Sequence, residues 1–150
     1  MNINIANKDD LNEILKLQKV AYQSEAELNN NYSIQPLMQT MEEIYNEITY
    51  KTFFKYTIDN EIIGSVRTEI KNGTCYVGKL IVKPKYQNQG IGSKLLLKIE
   101  EYHHDINRFE LYTSNKSIRN LYLYNKNGYK EFKREIMTDC IEIIYLVKQK

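Results

Sequence analysis

One segment near the middle of the chain constrains the fold more than any other. Within residues 80–96, an apolar run is followed by Pro84, a polar loop, two glycines and an apolar helical pattern. The apolar run predicts a strand that stops before the proline, and the later spacing predicts a helix. The first N–H groups of a helix have no partner within it, so together with the helix dipole they form an anion site.

The glycines of this segment favour a phosphate ligand. Gly90 and Gly92 lack the Cβ atoms that would keep a phosphate away from the backbone. Gln87 and Gln89 offer side-chain donors, and nearby lysines raise the positive potential. Residues 87–93 are therefore predicted to bind a diphosphate group. The alternative is that the glycines only let the helix pack closely against the sheet.

Two other glycine motifs do not fit. A dinucleotide-binding fingerprint needs a third glycine where Leu95 stands. A Walker loop needs a lysine and then Ser or Thr after its last glycine, but here Gly92 is followed by Ser93 and then Lys94.

The remaining pattern predicts one α+β domain over residues 1–150, a length typical of a single domain. Predicted strands cover 2–5, 52–58, 61–71, 74–82, 108–113, 129–136 and 140–147. Predicted helices cover 11–21, 41–48, 91–104 and 117–127.

Turns and connections complete this scheme. Asn72-Gly73 predicts a tight hairpin, because both residues tolerate positive φ. Residues 23–38 are polar and include Pro36, so they are predicted to be mostly loop. The strand–helix–strand crossover predicts that 74–82 and 108–113 are parallel.

Composition and charge exclude several classes of protein. Hydrophobic residues make up 42% and charged residues 27%, as in soluble globular chains. The net charge of +2 is too small for a chain that mainly coats nucleic acid or an anionic membrane. The N-terminus lacks the layout of a signal peptide, and no apolar run approaches about 20 residues. A cytoplasmic location is therefore expected.

The cysteines and histidines predict no metal site. Cys75 and Cys140 lie far apart in sequence without a zinc-site spacing. His103 and His104 are adjacent, and neighbours on a helix point about 100° apart.

Two motifs resemble one family. Residues 87–92, with the sequence QNQGIG, match the Gln/Arg-x-x-Gly-x-Gly/Ala signature of the GCN5-related N-acetyltransferase (GNAT) family. Residues 121–129, LYLYNKNGY, resemble the LYxxxGF segment of that family. The resemblance is close over residues 60–135. It implies a mixed, mostly antiparallel sheet of about seven strands with about four helices, in which two central parallel strands splay apart.

The resemblance also implies a binding mode for acetyl-CoA. The backbone of two strand residues would pair with the pantetheine arm, and the N–H groups of 89–93 would hold the pyrophosphate. Asn115 would contact the arm from the second strand, although it could equally be only the residue that leads into the next helix. The implied cofactor-binding residues are Leu80, Val82, Gln87, Asn88, Gln89, Gly90, Ile91, Gly92, Ser93 and Asn115.

By the same resemblance, Tyr124 is the general acid. A phenol beside the sulfur can protonate the leaving thiolate. At about 100° per residue, Tyr124 lies with Ser117 and Asn120, away from an apolar stripe formed by Ile118, Leu121 and Tyr122. The stripe is expected to face the core. The alternative is that Tyr124 is an ordinary packed tyrosine.

The general base is less defined. Some family members carry a carboxylate where this chain has Tyr76, and the nearest alternative carboxylate in sequence is Glu69. Glu69 could instead face solvent, and a dedicated base could be absent. Ser117 stands where the family often has Asn, and it is expected to cap the following helix.

The acceptor site is expected within residues 22–50, where an acidic and aromatic lining would suit a cationic amine. The alternative is an ordinary solvated surface. The residues that would line it are Glu25, Glu27, Glu42, Glu43, Glu47, Tyr22, Tyr32, Tyr45 and Tyr50.

The resulting hypothesis is an N-acetyltransferase that moves an acetyl group from acetyl-CoA to a primary amine by direct attack. The amine belongs to a small molecule or a peptide, the protein is a monomer or homodimer, and neither metal, nucleic acid nor membrane takes part. Two alternatives stay open: a non-catalytic acetyl-CoA-binding regulatory domain and, more weakly, a nucleic-acid module that uses the lysines of 79–98.

Overall fold

The computed structural model describes residues 2–150 and contains one seven-stranded mixed sheet, ordered β1-β2-β3-β4-β5-β7-β6. The strands are β1 (Ile3–Ile5), β2 (Thr52–Ile58), β3 (Glu61–Lys71), β4 (Thr74–Val82), β5 (Arg108–Ser114), β6 (Lys130–Ile136) and β7 (Glu142–Gln149). All neighbouring strands are antiparallel except β4 and β5, which are parallel as the crossover predicts.

Six helices connect the strands. They are α1 (Leu11–Ala21), α2 (Gln23–Asn29), α3 (Gln35–Met38), α4 (Met41–Glu47), α5 (Ile91–Tyr102) and α6 (Ile118–Lys126), and single 3-10 turns at Lys8–Asp10 and Pro84–Tyr86 precede α1 and α5. No helix within residues 2–150 is long and apolar enough to cross a membrane.

The sheet carries an apolar core on each face. Successive residues of β2 point to opposite faces, so Phe53 packs against α1 and α4 while Phe54 packs against α5. Both phenylalanine side chains are fully or almost fully buried. The helices therefore cover the sheet from two sides, and the α5 face also includes Tyr124 of α6.

The prediction that 23–38 is mostly loop is wrong. The sequence of α2 contains Gln, Glu, Ala and Leu, which all favour a helix, and the full burial of Ala26 adds tertiary packing. Asn30 ends α2 in the left-handed region at φ 50°. Pro36 lies in the first turn of α3, where a missing N–H breaks no helical hydrogen bond.

A buried charge network lies under α1 and α4. Arg67 is 2% exposed, and its Nη1 donates to Oε1 of Glu47 at 2.6 Å while its Nη2 donates to Oε1 of Gln18 at 2.5 Å. Gln39 donates to the same Glu47 oxygen at 2.6 Å, and the guanidinium carbon lies 4.4 Å from the ring centre of Phe53. Glu47, expected to line an acceptor site, instead neutralises a buried arginine.

The network sets the protonation of Glu47. Burial works to raise the pKa of its carboxyl, but the hydrogen bond from Lys51 and the charge of Arg67 outweigh burial and lower that pKa from 4.5 to about 2. The folded state thus favours the carboxylate. The resulting stabilisation is complete above pH 4.5 and is lost as the pH falls toward 2.

We expect Glu47→Gln to lower the free energy of unfolding by about 3 kcal/mol at neutral pH, because the variant leaves Arg67 buried without a counter-charge. Urea denaturation measures the change, and Glu42→Gln, at an exposed position of the same helix, is the matched control. The difference between wild type and Glu47→Gln should shrink as the pH falls below 4.5. Equal, small losses in both variants would show that the pair is not stabilising.

Candidate active site

A gap opens in the middle of the sheet. The parallel strands β4 and β5 pair only near their starts, and the last pair joins Tyr76 to Glu110. Beyond that pair β4 stays bonded to β3 as far as Val82, and β5 stays bonded to β7 as far as Ser114. Each strand is thus held by its outer neighbour, and the inner edges of both strands lack a strand partner.

A β-bulge accompanies the separation. Along β3, Arg67 pairs with Gly78 of β4, but Ser65 pairs with Ile81, so β4 has an additional residue in this stretch. Lys79 within the bulge has a φ of 48°, in the left-handed region. A bulge bends and twists its strand, which accounts for β4 turning away from β5.

The hydrogen bonds of β4 show which residues line the gap. Lys83 donates its N–H to the carbonyl of Ile63 at 2.7 Å, so the backbone groups of Lys83 and Ile81 face β3. Backbone groups alternate in direction along a strand, and those of Leu80 and Val82 therefore face the gap. The structure thus places both residues, predicted from the family resemblance, at the open edge of β4.

The polar loop leads from this edge to α5. The side chain of Gln87 turns back and donates to the carbonyl of Val82 at 3.0 Å, so this amide braces the loop against the strand. Asn88 and Gly90 have φ values of 63° and 81°. These left-handed residues turn the chain into α5, and an alanine at Gly90 would be strained although nothing lies within 4 Å of its Cβ position.

The start of α5 is open to an anion. Gly90 is the N-cap, and no side chain within residues 2–150 caps the helix. The first-turn N–H groups, which include those of Ile91, Gly92 and Ser93, are the unpaired donors of a helix start. This is the arrangement that the sequence predicts for a diphosphate site.

Gly92 has a different role from Gly90. A Cβ at Gly92 would lie 2.9 Å from Cδ2 of Leu123, so the alternative interpretation, close packing, applies to this residue, although its neighbour is α6 rather than the sheet. Asn127 also donates to Oγ of Ser93 at 3.0 Å. The two contacts fix α6 against the first turn of α5.

Asn115 joins β5 to the start of β7. Its N–H donates to the carbonyl of Glu142 at 2.9 Å, and its Oδ1 accepts from the N–H of Glu142 at 3.0 Å. The side-chain oxygen of Asn115 is therefore engaged within the sheet, and its amide nitrogen is the group left for a ligand.

Tyr124 is the buried residue of α6, with 6% of its surface exposed. The predicted orientation of the helix is wrong for Ile118 and Tyr122 of the apolar stripe, which are 68% and 69% exposed. Leu121, the third residue of the stripe, does pack against the core, but the buried residue is Tyr124, whose ring centre lies 6.3 Å from that of Tyr129. The core on this face thus contains the ring of Tyr124 rather than the side chains of Ile118 and Tyr122.

The face of α6 that carries Tyr124 also contacts α2. Asn120 donates to Oε1 of Glu25 at 2.9 Å, and Oγ of Ser117 donates to Oε2 of the same carboxylate. The grouping of Ser117 and Asn120 with Tyr124 by helical spacing agrees with these contacts. Ser117 occupies the N-cap position, but its hydroxyl binds Glu25 and does not cap the helix.

Tyr124 is held in its protonated form. Burial, and after it the negative charge of Glu25, raise the pKa of the Tyr124 hydroxyl well above its usual value of 10. At neutral pH the group is therefore a phenol, which can donate a proton. The sequence does not predict that Glu25 lies near Tyr124, because it predicts a loop for residues 23–38.

Glu69 lies at the closed end of the gap. It pairs across the β3–β4 ladder with Tyr76, at the level where β4 and β5 are still joined. Its carboxylate forms an ion pair with Lys71 at 3.3 Å. As a candidate base, Glu69 therefore already has a cationic partner.

Lys79 brings a second charge close to the buried arginine. Burial and then the charge of Arg67 lower the pKa of the Lys79 ammonium from 10.5 to about 8. The folded protein therefore releases this proton more readily than the unfolded chain, and its stability is expected to rise as the pH increases from about 8 to 10.5.

We expect Lys79→Met to raise the free energy of unfolding at pH 7 by on the order of 2 kcal/mol, because the variant removes a partly buried charge. Denaturant titrations of wild type, Lys79→Met and the exposed-site control Lys85→Met measure the effect. The advantage of Lys79→Met should shrink between pH 8 and 10.5. An advantage independent of pH would contradict this assignment.

The comparisons with known proteins agree with this geometry. Residues 49–131, more than half of the chain, match the family model described as an acetyltransferase (GNAT) domain. The chain is similar to the PaiA N-acetyltransferase of Thermoplasma acidophilum, solved with coenzyme A, at 22% identity and a TM-score of 0.78 over 100% of both chains. No curated protein sequence matches the chain significantly.

Two further solved structures are similar. A GNAT-family acetyltransferase from Staphylococcus aureus Mu50 has 25% identity and a TM-score of 0.76 over 99% of this chain and 98% of its own. A GNAT-family acetyltransferase from Elizabethkingia anophelis, solved with acetyl-CoA, has 25% identity and a TM-score of 0.65 over 74% of this chain and 84% of its own.

Proposed function

We propose, since the chain belongs to the GNAT acetyltransferase family, that it transfers an acetyl group from acetyl-CoA to a primary amine by direct attack within a ternary complex. The proposal places the reaction in the cytoplasm, with a small molecule or a peptide as the acceptor. The observation that carries it is the gap between β4 and β5, whose β4 edge leads through a short loop to the anion site at the start of α5.

The gap is suited to an extended, amide-containing arm. Leu80 and Val82 present backbone groups along its β4 edge, and an arm with its own amides can bind there as an additional strand. Such pairing uses backbone groups that lack a strand partner on that side. We assign the pantetheine arm of acetyl-CoA to this edge, with Asn115 approaching from β5.

The helix start at the end of the gap is suited to the pyrophosphate. In the proposed complex the N–H groups of residues 89–93 donate to the phosphate oxygens, and the dipole of α5 adds a favourable field. Gln87 and Asn88 shape the loop, since one braces it to Val82 and the other supplies a left-handed turn. Gly90 keeps the approach to the backbone open.

Tyr124 supplies the acid in this scheme. As the amine nitrogen attacks the acetyl carbonyl, the carbon–sulfur bond breaks and negative charge develops on the sulfur. Burial and then Glu25 raise the pKa of this phenol above 10, so the phenol carries a proton at neutral pH. The proton then moves from the Tyr124 oxygen to the sulfur and gives free coenzyme A.

The cysteines support direct transfer over an acetyl-enzyme intermediate. Cys75 is fully buried, and burial raises the pKa of its thiol to about 12, so it is not a thiolate at neutral pH. Cys140 is exposed, in the turn between β6 and β7. Cys75, the thiol on a strand of the gap, is therefore not an activated nucleophile.

We expect Tyr124→Phe to lower kcat by about 100-fold or more, because the variant keeps the ring but removes the proton donor. Acetyl-CoA affinity should stay within about twofold of wild type. Steady-state thiol release measures turnover, and Tyr122→Phe, at an exposed position of the same helix, is the control. Unchanged turnover would remove Tyr124 from the mechanism.

Calorimetry and thiol release together test the function itself. Titration with acetyl-CoA should show micromolar binding, while DNA and RNA should not bind. Thiol release is then measured with a polyamine, an aminoglycoside, an amino acid and a peptide with a free N-terminus. Binding of acetyl-CoA without thiol release for any amine would favour a non-catalytic regulatory domain, and binding of nucleic acid would contradict the proposal.

A further inference from the structure

Glu25 is held in place by the helix that carries Tyr124. Its two carboxylate oxygens accept hydrogen bonds from Asn120 and Ser117, which lie four and seven residues before Tyr124. Side chains at these spacings share one side of a helix, so the carboxylate and the phenol lie on the same side of α6. Asn29 of α2 adds a longer contact to Glu25 Oε2 at 3.4 Å.

The negative charge of Glu25 has no counter-charge. Among the residues that the structure describes, no lysine, arginine or histidine nitrogen forms an ion pair with this carboxylate. Its hydrogen-bond donors are a hydroxyl and amide groups, which carry no charge. Neutral donors leave the net negative charge of a half-buried carboxylate in place, and this charge attracts a cation.

Besides burial, the charge of Glu25 raises the pKa of two tyrosine hydroxyls. Burial comes first among the causes that raise the pKa of Tyr22, followed by the neighbouring Tyr124 and Glu25. Glu25 likewise contributes to the raised pKa of Tyr124. The charge of Glu25 therefore acts on two aromatic side chains, and an ammonium group is attracted both to a carboxylate and to aromatic rings.

In some family members the general base lies on the strand that corresponds to β4, but β4 of this chain contains no carboxylate. Tyr76 occupies that position, and its cross-strand partner Glu69 is paired with Lys71 at 3.3 Å. Glu25 reaches the site from α2 instead. It is a carboxylate that both faces the Tyr124 side of α6 and lacks a cation of its own.

We propose that Glu25 binds the acceptor as a protonated primary amine and takes its first proton, an inference that rests on the proposed acetyl transfer. Loss of this proton to the Glu25 carboxylate frees the lone pair of the nitrogen. A new carbon–nitrogen bond forms, the carbon–sulfur bond breaks, and Tyr124 protonates the sulfur. The nitrogen, still carrying one excess proton, returns a proton to the Tyr124 oxygen, and Glu25 releases its proton to water.

The acceptor class follows from this assignment. A cationic primary amine gains both from the charge of Glu25 and from the proton transfer. Hydroxylamine, a nucleophile that is uncharged at neutral pH, gains from neither. The two nucleophiles therefore separate the proposed role from a purely structural contact between α2 and α6.

The experiment compares Glu25→Gln and Glu101→Gln with wild type, using the panel amine that wild type acetylates fastest. Glutamine keeps the size of the side chain, and Glu101 is an exposed carboxylate near the end of α5. We expect Glu25→Gln to lower kcat/KM for the amine by about 100-fold, and its rate with hydroxylamine by less than about fivefold. Acetyl-CoA affinity and the thermal midpoint should match those of Glu101→Gln, and this control variant should keep wild-type rates. Glu69→Gln is the variant of the rival candidate base.

Three results would overturn the inference. They are equal rates for Glu25→Gln and Glu101→Gln, equal losses with the amine and with hydroxylamine, and a loss in Glu69→Gln in place of Glu25→Gln. A wild-type protein that releases no thiol with any amine would instead refute the proposed function. The two failures are therefore distinct.

Discussion

The parallel pairing of β4 with β5 ends after Tyr76, and the rest of the site depends on that separation. Strands joined along their whole length would satisfy each other's backbone groups and leave no edge for a ligand. Here a bulge at Lys79 bends β4, while β3 and β7 hold the two strands from outside. The sheet can therefore contain an open edge without losing its continuity elsewhere.

The elements around the gap are fixed to one another by a few polar contacts. Gln87 ties the loop to the end of β4, Asn127 ties α6 to the start of α5, and Glu25 ties α2 to α6. These contacts connect the anion site to the helix of Tyr124 and then to the segment where an acceptor is expected. Glu25, the charged residue in the last of these contacts, also acts on the phenol, because after burial its charge raises the pKa of Tyr124.

The sequence predicts the parts of the site that depend on local signals. Asn72-Gly73 specifies the turn between β3 and β4, and the glycine loop marks the start of α5, so all three elements lie where the pattern puts them. The motif spacing also identifies Tyr124 as a candidate, whose role in catalysis stays a prediction.

What the sequence does not predict depends on tertiary contacts. The segment of α2 contains residues that favour a helix, but its position depends on the burial of Ala26 and on the contact of Glu25 with α6, and neither partner is visible locally. The apolar stripe of α6 predicts the wrong buried side of the helix for a related reason. Ile118 and Tyr122 face solvent because the ring of Tyr124 packs into the neighbouring core. Long-range packing thus decides both the position of α2 beside α6 and the burial of the Tyr124 ring.

Hydrogen exchange of backbone amides, with and without acetyl-CoA, tests most directly the claim that the gap is the cofactor site. The account predicts that binding slows exchange at Leu80 and Val82 and across residues 89–93, while the amides of β6 and β7 are unaffected. Tight binding of acetyl-CoA that protects other parts of the sheet, and leaves the edge of β4 and the start of α5 unchanged, would contradict it.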